Sequence, residues 1–222
     1  MATATTGTFD TLKGHDNNRI RKILEMALFA KRWDAADEAP TQIWDGTQLI
    51  LPAGYVPIGL TTKEDGATWS REQETSDVTS HGYAEPTRRD ILSDVMGLQF
   101  TAQETHLTTL EMDKGVDLSG LTTDAKGNVI IDKPSRPAPL LWRVLAVGKD
   151  GDGPDALYVV RWLPRAQVSE NAEQKWSEDE ELRYGLTFTA YNDRAVGTAM
   201  REIWGGPGLK HEDMGFPAPA SA

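Results

Sequence analysis

Leu98-Gln-Phe-Thr-Ala-Gln-Glu104 alternates apolar Leu98, Phe100 and Ala102 with polar Gln99, Thr101 and Gln103, the period of two that marks a strand with one buried face. Leu182 to Tyr191 repeats the pattern, setting Leu182, Tyr184, Leu186, Phe188 and Ala190 against Arg183, Gly185, Thr187 and Thr189. Between them, Leu140 to Val147 is apolar except for Arg143, and Ala156 to Leu163 is rich in β-branched and aromatic residues, both fit for strands. The intervening Gly148-Lys-Asp-Gly-Asp-Gly-Pro154 is a dense turn signal, so the two runs predict a hairpin. A shorter strand is expected at Val129 to Asp132, after the Gly127-Asn128 turn. The chain is therefore read as mainly β.

Helix signals are few. Thr105 is placed to cap a short helix from His106 to Asp113, with Leu107, Leu110 and Met112 as its buried side and Gly115 as its stop. Ile20 to Arg32 reads two ways, since Ile20, Ile23, Leu24, Ala27 and Leu28 make a helical stripe while Glu25 to Ala30 suits a strand. Periodicity alone favours the helix. Thr61 to Asp90 and Gly205 to Ala222 carry no regular apolar pattern; a loop of about 30 residues is unusual in a compact domain and points to contact arms. The Gly205-Gly-Pro-Gly208 cluster reads as a hinge.

A chain of 222 residues suits one domain with appendages or two modest domains. No apolar run approaches the roughly 20 residues that cross a bilayer, and the first 20 residues lack the features of an export signal. There is no cysteine, which excludes disulfides, thiolate catalysis and cysteine-ligated metal. The net charge of -11 disfavours gripping DNA through its phosphates, which takes clustered Lys and Arg.

That charge is blocked along the chain. Lys13, Arg19, Arg21, Lys22, Lys31 and Arg32 against Asp16 and Glu25 give +4 from Lys13 to Arg32. Thr61 to Pro86 carries -4 and Glu170 to Glu181 carries -5. Blocks of opposite sign on one chain can pair head to tail between identical copies.

Chemistry is thin. His15, His81, His106 and His211 have no metal-ligand spacing, and Asp150-Gly-Asp-Gly-Pro-Asp155 lacks the third ligand and closing Glu of a calcium loop. There is no nucleophile elbow and no singled-out carboxylate pair, so no enzyme, metal or cofactor site is expected. The seven tryptophans, Trp33, Trp44, Trp69, Trp142, Trp162, Trp176 and Trp204, are expected chiefly in packing; a sugar-binding face on an all-β module is the alternative.

Leu51-Pro-Ala-Gly-Tyr-Val-Pro-Ile-Gly-Leu60, Glu64-Asp-Gly-Ala-Thr-Trp-Ser-Arg71 and Glu74-Thr-Ser-Asp77 stand in order before Arg89-Asp-Ile-Leu-Ser-Asp94, the strand Leu98 to Ala102, and Glu104-Thr105. In this layout residues 15 to 115 resemble the major tail proteins of siphophages that infect actinobacteria. Distal tail and tail-terminator proteins have similar layouts and remain alternatives. The resemblance implies a two-sheet β-sandwich or half-barrel with one short flanking helix, spanning residues 20–204 between an N-terminal arm (1–19) and a C-terminal arm (205–222). It implies a strand at Glu25 to Ala30, against the helical stripe, and hexameric rings stacked into a tube, with residues 61–86 as a long loop to the next ring. The implied partners are further copies, the tape-measure, tail-terminator and distal tail proteins, and DNA that passes without sequence-specific binding. The implied place is the virion tail, assembled in the host cytoplasm, with no membrane contact.

Within that frame the rings are expected to enclose an acidic channel for DNA ejection, repelling phosphate, and Gln99, Thr101, Gln103, Arg183, Thr187 and Thr189 are candidates to face its lumen. Arg19, Arg21 and Lys22, with Glu64, Asp65, Trp69, Arg71, Glu72, Glu74 and Asp77, are candidates for contacts between rings, the basic segment facing an acidic loop.

Overall fold

The computed structural model describes residues 6–217; the outermost five residues of each expected arm lie outside it. The described strands join in one eight-stranded antiparallel sheet, ordered β2-β1-β5-β6-β7-β4-β3 with β8 also on β6. They are β1 (Glu25–Arg32), β2 (Val56–Pro57), β3 (Ala67–Val78), β4 (Arg88–Ala102), β5 (Trp142–Asp150), β6 (Leu157–Asn171), β7 (Tyr184–Ala190) and β8 (Arg201–Gly205). Two short helices, α1 (Phe9–Lys13) and α2 (Leu107–Lys114), accompany them.

The sheet folds into two layers on β6. Its first part pairs with β5 and β8, and its last part with β7. The turn from one layer to the other lies where Trp142 and Val144 of β5 face Ala166 and Leu163 of β6. Arg143 there opposes both Pro164 and Arg165, a bulge that bends the strand and accommodates a proline with no N–H to give. Inward residues of both layers form the core: Leu28 and Ala30 of β1, Val144 and Ala146 of β5, Leu98 and Phe100 of β4, Leu186 and Phe188 of β7. The Phe100 and Phe188 rings stack at 5.8 Å. The far side of the β1-β5-β6 layer is covered too, because Ile43 and Tyr55, from the long β1–β2 connection, pack on Leu145, Val160 and Trp162. That double burial is why Leu140 to Val147 reads as a continuous apolar run. The sandwich is drawn shut on one side by the chain after β1: the Ile58 N–H donates to Leu28 O and the Thr62 N–H to Thr101 O.

Several expectations need correction. Residues 25–32 form a strand, as the family resemblance implied for Glu25 to Ala30 and against the periodicity, since Phe29 is needed on one face and Leu28 and Ala30 on the other. Thr61 to Asp90 is no structureless loop: most of it is the β3–β4 hairpin, whose distal half is exposed on both faces and so shows no alternation. Val129 to Asp132 forms no strand; Val129 and Ile130 are exposed, and the Asp124 carboxylate instead takes the N–H groups of Lys126 and Asn128. In α2 the Thr105 hydroxyl bonds to Tyr184 Oη rather than capping. Leu107 is exposed, and the buried residues are Thr108, Thr109, Glu111 and Met112. Leu182 lies outside β7 and is exposed. Gly205 to Gly208 is a fastened strap instead of a hinge: Gly205 ends β8, the Gly208 N–H donates to Ala156 O, and a Cβ on Gly208 would collide with the Asp155 backbone.

Candidate assembly and channel surfaces

The period of two along β4 and β7 puts Leu98, Phe100, Leu186 and Phe188 inside and turns Gln99, Thr101, Thr187 and Thr189 outward. Gln99 lies across from Thr187, Gly97 from Thr189 and Thr101 from Gly185, so these four candidate lumen residues share one face. β3 extends it with Thr68 opposite Gln99 and Ser70 opposite Gly97. These two were invisible in the sequence because β3 was. Where β4 pairs with β7 the face carries hydroxyls, an amide and glycines and no cation, and carboxylates flank it, Glu170 of β6 opposite Thr187 and Glu72 beyond Ser70 on β3. Gln103 and Arg183 stand at its end, where Gln103 Nε2 donates to Glu181 at 3.1 Å and Arg183 faces Glu180 at 3.7 Å.

The candidate contact residues divide differently. Of the basic block, Lys13, Lys31 and Arg32 are taken up within the chain by Asp10 at 3.1 Å, Asp37 at 2.7 Å and Glu111 at 3.0 Å. Arg19 rests against Asp16 at 3.4 Å while half-exposed, and Arg21 and Lys22 have no ion pair among the described residues. On the hairpin, Arg71 pairs with Asp94 at 2.6 Å and Asp77 with Arg89 at 2.7 Å across the strands. Asp65 accepts the Thr62 hydroxyl at 2.8 Å. Trp69 packs against the core beneath the Arg161 guanidinium. Glu64, Glu72 and Glu74 are exposed, with no ion pair among the described residues. Hydrogen bonds from Arg71, and then Gln73, hold the Asp94 carboxyl at about 2, and Arg89 holds Asp77 below its ordinary value.

The hairpin projects as a two-stranded ribbon. β7 pairs with β4 only from Gly97 to Ala102, so Arg88 to Met96 is flanked by β3 alone. Beyond the ladder, β3 has no neighbour among the described residues along its outer edge over 12 residues. Ile91 and Leu92 are 61% and 62% exposed on this ribbon, Leu92 as the extra residue of a bulge between the Glu74–Ser93 and Thr75–Ile91 pairs.

The tryptophans are largely spent on packing. Trp142 and Trp162 are buried, Trp44 stacks on Tyr158, and the Trp33 indole donates to buried Asp193 at 2.9 Å. Trp176, 85% exposed, is the exception. Among the described residues no group of three or more His, Asp or Glu side chains could hold a metal ion, and no helix is long and apolar enough to cross a membrane.

No curated protein matches the chain. The model of one family, described as phage tail tube protein, matches residues 28–203, from within β1 to within β8 and across both layers of the sandwich. With most of its length matched in this way, the chain belongs to the phage tail tube protein family.

Proposed function

We propose that this structural subunit of a phage tail stacks as hexameric rings into the tail tube of a siphophage with an actinobacterial host, around the channel through which DNA is ejected. The observation that carries the reading is the β3–β4 ribbon. A single copy leaves a 12-residue strand edge and the Ile91 and Leu92 side chains in water, and natural proteins rarely leave so long an edge without a partner. Further copies supply that partner. The ribbon, with Glu64, Asp65, Trp69, Arg71, Glu72, Glu74 and Asp77 on or beside it, and the Arg19–Lys22 segment form the contacts between rings.

Gln99, Thr101, Gln103, Arg183, Thr187 and Thr189 line the channel. Their face offers DNA no array of cations, so counterion release cannot hold the duplex in transit, and Glu180 and Glu181 border it with negative charge. The role is mechanical and involves no catalytic group. Tape-measure, terminator and distal tail proteins are the other partners, and assembly takes place in the host cytoplasm before the tail joins the virion.

The test is negative-stain electron microscopy of the purified chain at rising concentration, beside the Ile91→Asp/Leu92→Asp variant. The wild type is expected to form rings or tubes with a central channel, and the variant to stay monomeric with an unchanged circular dichroism spectrum. Tubes of normal length from the variant would remove the ribbon from the assembly. A wild type that never polymerises, even with a tail initiator, would remove the tube.

A further inference from the structure

We infer that the Asn17–Leu24 segment of one copy docks on the Trp176 loop, residues 172–183, of the next. The inference rests on the assembly reading above and names the partner of its basic segment. Both surfaces are unsatisfied in the single chain. Ile20 is 74% exposed and Leu24 58%, and between them Arg21 and Lys22 project without an ion pair among the described residues. On the other side stand Trp176, its indole N–H turned back to Gln174 at 3.2 Å, and exposed Leu182. Glu173, Glu178, Asp179, Glu180 and Glu181 surround them in the stretch that carries -5. The segment offers apolar side chains framed by basic charge, and the loop offers Trp176 and Leu182 among five carboxylates. Of these, Glu180 is met by Lys175 at 3.0 Å and Arg183 at 3.7 Å while the other four have no ion pair among the described residues, so the net signs are opposite. An aromatic anchor ringed by charge is the composition that concentrates binding energy at interfaces.

The topology keeps the two surfaces of one chain from meeting each other, so their pairing takes a second copy. The Asn17–Leu24 segment is fastened at the β5–β6 turn, where the Leu24 N–H donates to Lys149 O and the Lys22 N–H to Asp150 Oδ2, beside Leu157 at the start of β6. The Trp176 loop begins after Asn171 at the end of the same strand. Fifteen strand residues separate the two by up to about 50 Å. Surfaces at opposite ends of one chain meet only head to tail, the heterologous arrangement that propagates a stack.

The β3–β4 ribbon is the competing acidic partner, and two observations disfavour it. Of its carboxylates, Asp77 and Asp94 are already neutralised by Arg89 and Arg71, which leaves Glu72 and Glu74 without an ion pair among the described residues. It also continues from the β4–β7 ladder beyond Gly97, away from the Tyr184 end where the Trp176 loop lies.

The absence of cysteine makes the test clean. Ile20→Cys, Ser177→Cys and, on the ribbon tip, Ser80→Cys are purified singly and oxidised in pairs at assembling concentration, with the same samples imaged by electron microscopy. The expected result is a dimer from Ile20→Cys mixed with Ser177→Cys, a ladder of higher species from the double variant, and only background from Ile20→Cys mixed with Ser80→Cys. Trp176→Ala, its circular dichroism unchanged, should raise the critical concentration for assembly tenfold or more, roughly the weight of an interfacial tryptophan. Tubes that form without the Ser177 cross-link, or that link Ile20 to Ser80 instead, overturn the docking and leave the tube standing. The Ser177 ladder without any tubes supports the docking against the tube, and neither ladder nor tubes overturns both.

Discussion

Arg143 is the one charged side chain in the run Leu140 to Val147, and it is 1% exposed. The bulge opposite Pro164 and Arg165 makes room for it. Its Nη2 donates to Asp34 O at 2.8 Å and lies 3.5 Å from Asp193 Oδ2, over the Trp162 ring. Burial pushes the Asp193 carboxyl up, but the Trp33 indole, the Ala195 amide and Arg143 outweigh it and keep it below its ordinary value. Removing Asp193 leaves the buried guanidinium with only Asp37, 3.8 Å from its Nε, as a counter-charge, so Asp193→Ala should lower the unfolding free energy by about 3 kcal/mol, the low end for a broken buried pair, read by urea denaturation of the monomer. A loss below about 1 kcal/mol would mean that water reaches the guanidinium. Arg143 stood out in the sequence as an anomaly, whereas Asp193, 50 residues away in a connection without periodicity, carried no signal that it was the answering charge.

Among the elements, legibility followed burial. β5, β6 and β7 showed themselves because one or both faces are dry, and the outward residues of β4 and β7 followed from the same alternation. β3 did not, since past Trp69 it is wet on both faces and nothing in its pattern distinguishes it from a loop. β8 is five residues long and half-exposed, too short to show a period. β1 was legible in the family layout but not in the periodicity, because a strand with apolar residues on both faces and a helix with a broad stripe share the same composition over so few residues. On top of its backbone ladder the exposed hairpin is tied across its strands by the Arg71–Asp94 and Arg89–Asp77 pairs, and charge titrates. With Asp94 held at about 2 against an ordinary 3.8, and Asp77 also depressed, the folded hairpin favours the ionised carboxylates. Their contribution is complete above about pH 4, erodes as pH falls, and is gone below about 2. Amide exchange protection within residues 71–94, corrected for intrinsic rates, should therefore be flat from pH 7 to 5 and drop between 4 and 2. A drop already at pH 6 would place its origin elsewhere.

For the molecule as a whole, a net charge of -11 coexists with an outward face that carries no charged side chain where β4 pairs with β7. If that face lines the channel, cations placed on it should turn a passive wall into a binding one. Gln99→Lys/Thr187→Lys, on directly opposed residues, should make assembled tubes retain duplex DNA at low salt. Retention should fall steeply on going to about 0.2 M, by the counterion-release slope of roughly 0.9 per phosphate contacted. Wild-type tubes should retain none in the same filter assay. Equal retention by both would place the face on the outside of the tube.

The strand that both layers share also has a mechanical consequence. Because β6 belongs to the β5 and β8 ladders at one end and to the β7 ladder at the other, prising the layers apart cannot proceed by peeling one hydrogen bond at a time. It must shear a row of them together or bend a strand about its own bulge. Each subunit is accordingly stiff, and a tail that flexes under load does so at the seams between its subunits, where the compliance of the whole filament resides.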